Sequence, residues 1–260
     1  MSGPVRVDTT TIAGWSDLVD EFDRWGEAGA TAILWWRDDD AVAATPRLDD
    51  LLRLAGEVPL ALAVIPALAR PDLGAALAGA PLVAVLQHGW QHANRAGNGK
   101  KSEYPKGRSA AVVGEEIGAG QARLKALFGT RALPLFVPPW NRIADELLPA
   151  LPANGIAGLS RMAARRCVPA PAGLAAIDVH VDLVAWGADR GFIGVAAALG
   201  GLVDQLRASR CGAAAAARPV GILTHHLIMD GATAAFLGRL IELTGSHTAA
   251  RWARAGELMQ

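Results

Sequence analysis

The stretch LQHGWQHAN (86–94) sets two histidines, His88 and His92, four residues apart where an apolar run ends. Imidazoles at that spacing share one face of a helix, and the same spacing suits a loop that curls back on itself. They are either two ligands of one metal ion or polar residues closing off a buried strand, and the rest of the chain must supply the missing ligands or fail to. WWRDDDA (35–41) places three carboxylates, Asp38, Asp39 and Asp40, directly after Trp35 and Trp36. Adjacent carboxylates repel one another. A solvated or helix-capping turn tolerates them, and a divalent cation offsets the repulsion while keeping them ionised. Further on, FVPPWN (136–141) carries Trp140 on the rigid Pro138–Pro139 pair, HVDLVAW (180–186) carries Asp182 and Trp186, and LTHHLIMD (223–230) carries His225 and His226.

One carboxylate and two imidazoles leave coordination positions open on a metal, the pattern of a site that activates water for hydrolysis. A second carboxylate beside the ligand can remove a proton from that water, and a histidine on the far side can protonate the leaving group. The chain has 6 histidines, and four of them, His88, His92, His225 and His226, are the candidates named here. Packing alone does not account for that concentration.

Residues so far apart in sequence need a framework that gathers them. Seven short apolar runs have strand length and Pro or Gly punctuation: TAILWW (31–36), PLALAVI (59–65), PLVAVLQ (81–87), ALPLFV (132–137), GIAGLS (155–160), AAIDVHVDL (175–183) and PVGILTH (219–225). Runs apolar on both faces suit a buried parallel sheet. Helical segments separate most of them. TPRLDDLLRLAGEV (45–58) opens with a Thr cap and a first-turn Pro. SAAVVGEEIGAGQARLKALFG (109–129) starts at Ser and stops at Gly, and 191–210 and 230–246 follow the same spacing. A leading helix (15–28) and a short closing helix (249–259) flank the set. Alternating strands and helices imply right-handed βαβ units, and in such barrels the chemistry gathers at the C-terminal strand ends. Five of the seven runs end in Asp, His or Trp.

Composition excludes several classes. Lys+Arg and Asp+Glu balance at 25 each in 260 residues, so nothing points to nucleic acid or an anionic membrane as partner. Although 52% of residues are hydrophobic, no uninterrupted apolar run approaches the ~20 residues that span a bilayer. Cys167 and Cys211 lack metal spacing and read as reduced core thiols. The first residues have no basic segment followed by an apolar one, so a cytoplasmic protein is expected. No linker or low-complexity tract divides the chain, which implies a single domain over 1–260, with the motif-bearing core at about 31–245. The oligomeric state stays open.

The ordered set Asp–Asp, H-x-x-x-H, Pro-Pro-aromatic, Asp…Trp and L-x-H resembles the polysaccharide deacetylases, carbohydrate esterase family 4 or the NodB-homology domain, over about 33–230. The resemblance implies an α/β fold, a distorted (β/α)7 barrel like a TIM barrel, and a metal-dependent hydrolase that removes acetyl from an N-acetylated sugar or glycan. It implies Asp39 as base, and Asp40, His88 and His92 as metal ligands, with Ala41 where the family has glycine. A register one residue earlier in the Asp run remains possible. It further implies a backbone oxyanion donor at Trp140, Asp182 as the acid that orients a histidine, His225 as general acid and Trp186 as wall of the acetyl pocket. Zinc is the first expectation for Asp/His/His, with cobalt, nickel or iron as alternatives. The family's arginine before Pro-Pro is here Val137, and Arg37 and Arg142 are the nearby replacements. His226, facing the other way from His225, is either structural or a substrate contact. Asn94, Asn141, Lys101 and Glu103 are further candidate substrate contacts, and Arg108 joins them on the polar stretch 94–109, read as a loop over the site. Two other readings stand beside this one: hydrolysis of a non-carbohydrate C–N amide on the same fold, and a degenerate relative that only binds glycan.

Overall fold

The computed structural model describes residues 14–163, 173–187, 190–212 and 218–259. In chain order the elements are α1 (Trp15–Glu27), β1 (Ala32–Ala41), α2 (Pro46–Ala55), β2 (Leu60–Val64), α3 (Pro71–Ala76), β3 (Val83–His88), α4 (Ala110–Phe128) and β4 (Ala132–Val137). There follow α5 (Ala150–Ala153), β5 (Gly158–Leu159), β6 (Ala175–Ala176), β7 (Val181–Asp182), α6 (Val195–Cys211), β8 (Val220–Thr224), α7 (Gly231–Ser246) and β9 (Ala250–Trp252). The sheet runs β6-β5-β4-β3-β2-β1-β8-β7, with β9 added beside β1, and every pairing is parallel.

The ends of that order lie on one stretch of chain. Residues 175–182 pair first with β5, through Ile177 N–H to Leu159 O, and then with β8, through His180 N–H to Gly221 O. The sixth apolar run is therefore two short strands that change partner midway, and it carries the sheet round into a distorted seven-staved α/β barrel in one domain. Hydrogen bonding on one side passes from β5 to β8 across residues 177–180, which is why the run does not form one continuous strand.

Side-chain alternation along β1 sorts its residues between two cores. Leu34 and Trp36 join the layer between sheet and helices, with Ile222, Phe236 and Leu240. Trp35 points into the barrel with Leu86, Leu135, Val137 and Leu223. A third cluster, around Tyr104, Ile117 and Leu151, supports the loop side of α4. Beyond Trp36 the strand continues through Arg37 and the three aspartates to Ala41, all but Asp40 buried. The expected end at Trp36 falls short because those charges are paired inside rather than solvated.

The closing segment does not form the expected helix. It forms β9 and a 3-10 turn at Glu257–Met259. Ala32 to Leu34 project past the end of β8, and β9 supplies the partner their backbone groups need. Cys211 ends α6 exposed, not in the core, and Cys167 lies outside the described residues. No described helix is long and apolar enough to cross a membrane.

Helix α7 starts at the turn that follows β8. Its N-cap is Asp230, whose carboxylate accepts from Thr233 N–H and Oγ1–H, both at 2.7 Å. These bonds hold its carboxyl below the usual range. The stabilisation is thus complete above the unfolded-chain value and is lost as pH falls through the depressed folded value. Asp230→Ala should cost ~1 kcal/mol in urea denaturation at neutral pH, with the gap to the parent closing in strong acid.

Candidate active site

Asp40, His88 and His92 converge at the C-terminal mouth of the barrel, one ligating atom of each within 4.8 Å of the others. His88 Nε2 lies 3.2 Å and His92 Nε2 3.3 Å from Asp40 Oδ1. His88 is the last residue of β3, and its Nδ1–H donates to Val137 O at 3.0 Å. A carbonyl only accepts, so this bond makes Nδ1 the donor and turns Nε2 toward the cluster, where it could ligate a metal once free of its proton. Burial would raise the Asp40 carboxyl, but the bond from His88 and the charges of His88 and His92 outweigh it and hold it far below the usual range. This set of one ionised carboxylate and two oriented imidazoles fits a divalent metal ion.

His92 is placed by a turn whose geometry depends on Glu103. That carboxylate is fully buried and accepts from the N–H groups of Trp90 (3.1 Å), Gln91 (2.8 Å) and His92 (3.2 Å). Gly89, with φ of +60°, makes room for it: a Cβ there would strike Glu103 Oε2 and lie 2.6 Å from Pro139 Cδ. Gly89→Ala should cost ~1–3 kcal/mol for the overpacking and weaken metal binding as well. Thermal unfolding and metal titration of the variant would test both.

The base candidate sits in a separate buried cluster. Arg37 Nη2 donates to Asp39 Oδ2 at 3.0 Å and to Asn141 Oδ1 at 2.8 Å, while Nη1 donates to Ser160 Oγ at 2.7 Å. Arg37 Nε lies 2.9 Å from Asp39 Oδ1, close in charge but poorly aligned as a hydrogen bond. Arg37 is 0% and Asp39 2% exposed. Two residues apart on a strand, both point into the barrel. Of the two arginines left open by the sequence, Arg37 therefore holds the aspartate, and Arg142 instead donates to Lys101 O at 2.9 Å. Ser160, the third anchor, carries no motif that would single it out.

Asp38 faces the opposite side. It accepts from Thr224 Oγ1 at 2.6 Å, which in turn accepts from Trp36 Nε1 at 2.8 Å. Its other oxygen meets His226 Nδ1 at 2.5 Å. His226 is 1% exposed and tied to Asp38, so its place as a substrate contact is corrected to a structural one. Glu103 is corrected likewise, because its oxygens serve three amides. Asn94 Oδ1 accepts from Ala96 and Ser102 N–H and shapes its own loop. Arg108 forks onto Glu116, with both contacts at 2.8 Å. Lys101 is exposed, and Asn141 Oδ1 is engaged by Arg37.

The remaining wall holds His225, Asp182 and Trp186. The Trp186 and His225 rings meet edge to face at 4.8 Å. Asp182 is not bonded to His225: Oδ2 accepts from Trp186 Nε1 at 2.6 Å and Oδ1 from Val184 N–H at 3.0 Å. Burial raises the Asp182 carboxyl, against the pull of those two bonds and of His225. Across the mouth, Trp140 packs on His92 with ring centres 4.3 Å apart.

Five non-glycine residues have positive φ among those described, and four belong to this site: Asp40 (73°), His92 (56°), Trp140 (54°) and Asn141 (57°). Such conformations cost ~1–3 kcal/mol each and persist where surrounding structure enforces them, commonly at functional sites.

No protein-family profile matches the chain, and no curated protein matches it in sequence. Solved structures do. A Mycobacterium smegmatis protein described as a polysaccharide deacetylase superposes with a TM-score of 0.67 at 15% identity, over 89% of this chain and 90% of that one. A family 4 acetyl xylan esterase from Clostridium thermocellum, in complex with a cobalt ion, gives 0.53 at 13% identity over 87% and 89%. The allantoinase PuuE gives 0.57 at 16% identity, over 88% of each chain. At these identities the likeness is one of fold, and the fold is that of the carbohydrate esterase family 4 deacetylases.

Proposed function

We propose that this chain belongs to the polysaccharide deacetylase family and is a metal-dependent hydrolase that removes acetyl from an N-acetylated sugar or glycan. The observation that carries the reading is a trio of metal-type donors, Asp40, His88 and His92, next to a carboxylate that is not part of the trio and is fixed by Arg37. A divalent ion there, zinc by the donor set, supplies Lewis-acid polarisation of the amide carbonyl and of water. Asp39 takes the proton from the attacking water. The arginine holds that carboxylate in place. The Trp140 N–H, on the turn after Pro139, donates to the oxyanion as it forms. His225 gives a proton to the departing amine, and Trp186 covers the acetyl methyl.

A second reading keeps the site and changes the substrate to a non-carbohydrate C–N amide, which the allantoinase likeness supports. Acetate release from a panel of N-acetylated sugars, against allantoin and simple amides, separates the two. Chelator should abolish release and added zinc restore it. The double variant His88→Ala/His92→Ala should lose metal and activity together, and unchanged metal by elemental analysis would remove these residues from the ligand set.

A further inference from the structure

Three groups at the edge of the mouth have an unequal share of hydrogen bonds. Asp182 uses both carboxylate oxygens, one on Val184 N–H and the other on the indole N–H of Trp186. His225 is 8% exposed, and its Nδ1 is buried with no hydrogen-bond partner. Trp186 is 54% exposed and touches the same imidazole edge to face. Asp182 pairs in register with Leu223, and His225 lies two residues beyond Leu223 on the same face of the chain. The carboxylate therefore faces the same part of the mouth as the imidazole, and its hydrogen bonds go to the indole and to a backbone amide. A buried ring nitrogen left unpaired is costly, so this arrangement holds the imidazole short of a partner.

We propose that Trp186 is a positioning residue that withholds Asp182 from His225 until substrate arrives. In the open mouth the indole N–H holds the carboxylate. When an acyl group settles against the exposed indole, the ring shifts, its N–H leaves Asp182, and Oδ2 accepts from His225 Nδ1–H instead. The imidazole is then oriented only with substrate in place. This inference rests on His225 being the proton donor of the proposed reaction. No covalent bond is made or broken; one hydrogen-bond donor replaces another on the same oxygen.

Trp186→Phe keeps a ring against His225 and removes the N–H. In zinc-loaded protein labelled with nitrogen-15 at histidine, the variant should show a far-downfield Nδ1–H signal. The signal should disappear in Trp186→Phe/His225→Ala, which assigns it, and in Trp186→Phe/Asp182→Asn. The parent without substrate should lack it. Its presence in the parent, or its absence from Trp186→Phe, overturns the proposal. A merely structural tryptophan predicts no new signal in Trp186→Phe. If neither sugar amides nor other amides are hydrolysed, the functional reading fails, while the signal still reports whether the two donors compete.

Discussion

Asp39→Asn is expected to lower turnover by ~100-fold or more, the scale of general-base catalysis, while the protein keeps its metal. The side chain retains its shape and can still accept from Arg37 Nη2, so the loss is one of basicity rather than of position. It also leaves the Arg37 guanidinium, 0% exposed, without its counter-charge. A drop in stability should accompany the kinetic effect, which is why metal content and thermal unfolding belong in the same experiment. Asp38→Asn makes the contrast. That residue lies on the helix-facing side of β1 with Thr224 and His226, and its loss should weaken the fold through a broken buried pair, on the order of 3–5 kcal/mol. If Asp38→Asn, folded and metal-loaded, loses more turnover than Asp39→Asn, the base is Asp38.

The three consecutive aspartates show what the sequence could and could not convey. Their presence after an apolar run, with H-x-x-x-H and L-x-H further along, was enough to expect a metal and a barrel. The choice among them was not, because adjacent strand residues point to opposite faces and a one-residue slip exchanges every role. Pairing settles it. Asp38 faces Thr224 across β1 and β8, Asp39 turns inward to Arg37, and Asp40 leaves the strand with φ of 73° to meet the histidines. The same sorting separates His225 from His226. Spacing did hold one unused clue: Arg37 lies two residues before Asp39, hence on its face, whereas Arg142 follows a turn whose geometry no pattern specifies.

Other parts were legible only in outline. The four long helices from α2 onward fall close to the spans read from apolar spacing, a local signal, and Thr45 caps α2, whereas Ser109 makes no cap bond and α6 begins only at Val195. The sixth run and the C-terminal segment do not, because their form depends on which strand leaves backbone groups unpaired, a tertiary matter. The polar stretch 94–109 read as a loop over the site because it is long and charged. Its buried member, Glu103, in fact holds the turn that bears His92. Three amides aimed at one carboxylate cannot be seen in composition.

His225→Ala should reduce turnover by ~100- to 10,000-fold on an N-acetyl substrate, with fold and metal retained. The departing group there is an amine, a poor leaving group unless it receives a proton as the C–N bond breaks. Truncation of one ring leaves a small cavity beside Trp186 and removes no hydrogen bond, since Nδ1 has no partner in the free protein. The stability cost should accordingly be modest. His226→Ala should behave in reverse, leaving Asp38 Oδ1 without its partner in the core and costing ~3–5 kcal/mol. The leaving group separates proton donation from disturbance of the site: an acetyl ester of an acidic phenol departs without help. His225→Ala should lose far less rate on that ester than on the amide, whereas damage to the metal trio or to Asp39 should slow both alike. Equal losses on ester and amide would deny His225 the role of acid. If His226→Ala stays folded and shows the leaving-group dependence instead, the proton donor is the neighbouring histidine and the sorting of faces on β8 is wrong.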